Sequence, residues 1–129
     1  MRVRIGFITI VLLFAVPALA WSIDGRNSLI GTVTESPAKD KLSKQVTFVD
    51  LRTDHPVVVY PSGYDYKMTK VFESEDLIVL QFVAHITGST DTIYIEKKAL
   101  RFLIVTVGAL EGVVESKPLP VETHRGVIK

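Results

Sequence analysis

Between Leu77 and Thr87 every even position is apolar: Ile78, Leu80, Phe82, Ala84 and Ile86. A period of two sends those side chains to one face of a strand, opposite Gln81, His85 and Thr87. Leu77, Val79 and Val83 make the second face partly apolar as well, which marks a central or half-covered strand. Shorter runs of the same kind precede it. Residues 28–34 alternate weakly, 45–51 form a second segment, and Pro-Val-Val-Val-Tyr at 56–60 a third. Arg52-Thr53-Asp54-His55 lies between the last two as a hairpin loop, and residues 67–73 place Met68 and Phe72 on one face with Lys70 between them. Ser74-Glu75-Asp76 reads as a turn, as does Gly88-Ser89-Thr90-Asp91. Beyond it come 92–96, with Ile93 and Ile95 on one side, then 103–107, and a last short segment at 112–115. Strands spaced at roughly 8–12 residues predict an all-β fold, a single antiparallel sandwich or up-and-down barrel of about seven or eight short strands.

One stretch reads in two ways. Across 96–110, Leu100, Leu103, Ile104 and Val107 fall at helical spacing, and Glu-Lys-Lys-Ala-Leu-Arg favours helix. The β-branched run Ile104-Val105-Thr106-Val107 favours strand instead. A hairpin turning at Lys97-Lys98-Ala99 is the expectation, with a helix over 96–110 and an α+β fold as the alternative. The segment TIYIEKKALRFLIVTV resembles the I-x-I-D-K-K-T-G-R-F hairpins of small signal-bearing bacterial proteins, most of them uncharacterised. The resemblance covers residues 92–107, with Ala99-Leu100 where the usual pattern has Thr-Gly, and it implies no functional residue.

The N-terminus has a different pattern. Arg2 and Arg4 precede an apolar run over 5–16 that only Gly6 and Thr9 interrupt; Pro17 ends it, and Ala18-Leu19-Ala20 follows. A basic start, a short apolar stretch and an A-x-A site make a secretory signal peptide, with cleavage expected at Ala20/Trp21. The run is shorter than the ~20 apolar residues that span a bilayer, so the mature form is expected to carry no transmembrane anchor. The chain then divides into a signal peptide, residues 1–20, and a single β domain, residues 21–129, whose Pro-containing tail from about 117 reads as extended, in the manner of an edge strand. The expected location is secreted or periplasmic.

Composition narrows this picture. The sequence contains no cysteine, so an exported domain of this length must be held by packing and backbone pairing rather than disulfides. Cysteine-based zinc sites and lipid-modified cysteine anchors are excluded for the same reason. Loss of Arg2 and Arg4 leaves 13 basic residues against 14 acidic ones. That near-neutral mixture has no electrostatic footprint for nucleic acid.

Candidate chemistry is sparse. No nucleophile elbow, H-E-x-x-H pair, phosphate loop or calcium loop occurs, and no cofactor is implied. His55, His85 and His124 are far apart in sequence. His55 beside Asp54 reads as an exposed turn neighbour, and His124 falls in the tail. Glu73, Glu75 and Asp76 read as a solvated hairpin tip, and Ser36-Pro37 as the start of one short helical turn, with Ser36 as the cap. The most suggestive feature is Tyr60-Pro61-Ser62-Gly63-Tyr64-Asp65-Tyr66, which holds three of the chain's four tyrosines. Tyrosine joins apolar area to a hydroxyl, so Tyr60, Tyr64 and Tyr66 are the candidate ligand-binding residues; the preferred reading of Tyr60 and Tyr66 is as strand ends that close the edge of the core. The resulting expectation is an exported, non-enzymatic binding or interaction protein for a small ligand or another protein. The alternatives are an enzyme assembled from distant His and carboxylate groups, and a structural envelope component acting through sheet edges.

Overall fold

The alternation read from the sequence is realised as a meander of nine strands. The computed structural model describes residues 26–84, 88–108 and 121–129. The strands are β1 (Leu29–Glu35), β2 (Gln45–Val49), β3 (Val57–Val59), β4 (Asp65–Lys67), β5 (Thr69–Glu73), β6 (Leu77–Val83), β7 (Thr90–Glu96), β8 (Arg101–Val107) and β9 (Val121–Ile128). They form one antiparallel sheet in the order β4-β3-β2-β1-β9-β8-β7-β6-β5. The two ends of that order, β4 and β5, are separated in sequence only by Met68, and the β3–β4 ladder continues past it. Met68 N donates to Pro56 O at 2.7 Å, and Lys70 N donates to Asp54 O at 2.9 Å. β4 and β5 are thus two halves of one bent strand that pairs first with β3 and then with β6. The sheet curls back on itself as a nearly closed up-and-down barrel.

The inner faces follow the period of two. Ile78 and Leu80 are fully buried, Phe82 packs against the core, and Ala84 is half-buried beyond it. Ile86 lies outside the described residues, as do His85, segment 112–115 and the signal-peptide segment. The hairpin reading of 96–107 holds. β7 and β8 pair from Thr90↔Val107 to Glu96↔Arg101, and the chain reverses over 97–100 with Leu100 at φ 55°. Leucine occupies the left-handed position where the resembling hairpins carry glycine.

At the barrel's centre the β8 side chain Phe102 lies over two inward glycines, Gly31 of β1 and Gly126 of β9. Its ring meets Phe48 edge-on, with centroids 5.5 Å apart. A Cβ at Gly126 would run into the Thr32 carbonyl and the Phe102 ring, so the missing side chain is what admits the aromatic one.

Three local expectations are corrected. The tail does not lie at an edge: β9 pairs with both β1 and β8. Its prolines, Pro118 and Pro120, precede Val121, so no residue of the strand lacks the N–H that a two-sided ladder requires. Phe72 does not share a face with Met68. A register shift between Lys70 and Phe72 inserts one extra residue, which turns Phe72 outward to 52% exposure while Met68 is buried. Ser36 does not cap a helix either. The only helical turn among the described residues is a 3-10 turn at Lys39–Lys41 whose N-cap is Ala38, and Ser36 Oγ accepts from Ala38 N at 3.1 Å.

Candidate functional site

Because the meander alternates, its connections fall at two ends. The 2–3, 5–6 and 7–8 connections close one end. There the extra residue at 70–72 also swings Glu73 inward, opposite Ile78. Its carboxylate accepts from Lys70 Nζ at 2.8 Å and from Lys97 Nζ at 2.8 Å, and Lys97 is only 2% exposed. Burial pushes the Glu73 carboxyl up, but the hydrogen bonds from the two lysines outweigh it and hold it below the usual range. Outside this cluster, Lys98 bridges Asp76 at 3.0 Å and Glu75 at 3.5 Å, joining two turns. The acidic turn expected to be simply solvated is therefore half structural, through Glu73.

The 1–2 and 3–4 connections, with Ala84 and Ser89 beyond β6, lie at the other end, which opens into a cup of about 470 Å³. The core residues Val33, Val46 and Ile104 form its floor. Tyr60, Tyr66 and Phe82 form an aromatic wall: Tyr60 meets Tyr66 edge-on at 5.5 Å, and Tyr66 tilts against Phe82 at 4.9 Å. Local backbone geometry sets up this wall. Tyr60 N donates to Tyr64 O and Gly63 N to Tyr60 O, with Gly63 at φ 94°, a conformation glycine adopts at no steric cost. The tight turn places Tyr60, just past β3, beside Tyr66 of β4.

Of the tyrosines expected to bind, Tyr60 and Tyr66 line the cup, whereas Tyr64 projects away from it at 69% exposure. The sequence reading missed Asp91. It stands opposite Phe82 on β6 and Thr106 on β8, on the same inward face as the buried Ile93 and Ile95. Carrying the alternation of those isoleucines two residues back would have found it. Tyr60 Oη donates to Asp91 Oδ2 at 2.8 Å. Burial first, and then the Asp91 charge, raise the Tyr60 hydroxyl well above the ordinary phenol range, so it stays protonated and remains a donor.

The histidines do not converge. His55 Nδ1 donates to the Met68 carbonyl at 3.2 Å on an exposed loop, away from the cup. His124, by contrast, is fixed in the cup's wall by β9, opposite Ile104, its Nδ1 2.8 Å from Ser36 Oγ and its Nε2 3.5 Å from Glu122 Oε1. Among the described residues no group of three or more His, Cys, Asp or Glu side chains can hold a metal ion. Nor is any helix there long and apolar enough to cross a membrane. No protein-family model matches the chain, and no curated protein or solved structure does either, so its functional reading rests on the cup itself.

Proposed function

We propose that this is an exported, non-enzymatic binding protein that holds a small, mainly apolar molecule in the cup. The observation that carries the reading is the cavity of about 470 Å³ with its wall of Tyr60, Tyr66 and Phe82. Its volume lies within the range of small-molecule sites, and an apolar lining with a few polar groups is their usual make-up. The basic, apolar and A-x-A segments at the N-terminus support export. A sheet-edge role has less support, because β4 and β5, the two ends of the sheet, are halves of one bent strand that pairs first with β3 and then with β6. The test is a fluorescent apolar probe, N-phenyl-1-naphthylamine, titrated into the protein and into Ala84→Trp, which fills the cup from its lining. Saturable binding that Ala84→Trp abolishes is the expected result; equal binding by both proteins would move the site elsewhere.

A second reading, ester or amide hydrolysis, is favoured by one observation: His124 stands between Ser36 and Glu122, one ring nitrogen towards each. Against it, the same Ser36 oxygen accepts from Ala38 N as a turn residue, and Glu122 is mostly exposed. Turnover of p-nitrophenyl esters that disappears in both Ser36→Ala and His124→Ala would put this reading first.

A further inference from the structure

Asp91 is a carboxylate on the inward face of a barrel strand, one alternation from the fully buried Ile93. Among the described residues it forms no ion pair with a lysine or arginine, and its partner is the Tyr60 hydroxyl. A hydrogen bond from a neutral hydroxyl leaves the negative charge in place. Three aromatic rings stand with it in the cup. Ring faces carry the negative lobe of the aromatic quadrupole and attract cations, most strongly where water is excluded. Lys41, Glu122 and His124 also line the cup, and His124, opposite Ile104, faces Ser36 and Glu122. Lys41 lies exposed on the 3-10 turn, and Glu122 beside His124 supplies a second carboxylate. The interior of the cup therefore presents apolar area, aromatic faces and one unneutralised negative charge.

We propose that the cup selects a cationic amphiphile, a molecule with an apolar body and a primary or quaternary ammonium head. The body fills the space between Val33, Val46, Ile104 and the aromatic wall, and the head lies between Asp91 and the faces of Tyr60, Tyr66 and Phe82. This rests on the cup being a small-molecule site. An anionic head in the same place would face the Asp91 carboxylate, and an uncharged one would forgo both the ion pair and the cation–π attraction.

The experiment displaces N-phenyl-1-naphthylamine from the full chain with three ligands of equal chain length below their micellar concentrations: decyltrimethylammonium, decanol and decanoate. Decyltrimethylammonium is expected to displace the probe at about tenfold lower concentration than decanol, with decanoate the weakest. Asp91→Asn retains an acceptor for Tyr60 and should erase the preference for the cation, bringing decyltrimethylammonium to the level of decanol. If decanol or decanoate binds as well as the cation, the charge assignment falls while the small-molecule reading stands. A cation preference that survives Asp91→Asn also overturns it. If neither the probe nor any of the three ligands binds, both readings fall together.

Discussion

Glu73 Oε2 accepts a 2.8 Å hydrogen bond from the Nζ of Lys97, a lysine buried at the closed end of the barrel. The pair exists because one extra residue between Lys70 and Phe72 turns Glu73 inward. Removing one partner of such a pair leaves a poorly compensated buried charge. Because Glu73 is partly solvated, Glu73→Gln should cost about 1–3 kcal/mol, less than a fully buried pair. Urea unfolding measures it.

The same carboxyl sets a pH dependence. Its pKa is lowered in the folded state, so the folded protein binds its proton less readily than the unfolded chain does. Its stabilisation is full above the unfolded carboxyl value, about 4.3, and is lost as pH falls through the lower folded value. Unfolding curves measured from neutral pH into acid should fall off more steeply for the wild type than for Glu73→Gln. Parallel curves would assign the acid sensitivity to other groups.

Gly126→Ala should cost about 3 kcal/mol, the upper end for overpacking, since the added methyl would meet the Thr32 carbonyl and the Phe102 ring. Backbone on one side and an aromatic ring on the other leave neither neighbour room to move. A change in thermal midpoint of less than a degree would show that β1 and β9 part easily.

Two left-handed residues should respond in opposite directions to glycine. Ser43, at φ 65°, is exposed, so Ser43→Gly relieves backbone strain and should stabilise the protein by about 0.5–1 kcal/mol. Leu100, at φ 55°, packs against the core, so Leu100→Gly loses more in burial than it recovers in strain. Thermal unfolding of the two variants should shift to opposite sides of the wild type.

Tyr64→Ala separates the turn from the cup. Tyr64 is exposed outside the cavity, so its loss should change neither stability nor probe binding by more than about 0.5 kcal/mol. Tyr66→Ala removes part of the aromatic wall and should weaken the probe by ~1 kcal/mol or more. If Tyr64→Ala weakened binding more than Tyr66→Ala, the contact surface would be the outside of the turn.

What the sequence determined by itself was local. The faces of Ile78, Leu80 and Phe82, the hairpin about 97–100 and the class of the fold follow from a period of two and from turn residues, and these are set by neighbouring dihedrals. Tyr60 and Tyr66 were legible as one feature because a tight turn joins them. The tertiary structure decided everything that depends on distant pairing. One inserted residue at 70–72 reversed the face of Phe72, and no local preference marks it. β9 became an interior strand only because the barrel closed between β1 and β8. Asp91 met Tyr60 across 31 residues, and His124 met Ser36 across 88. Side chains that far apart come together through the register of the ladders between them, and that register follows from how all the strands bury their apolar faces at once.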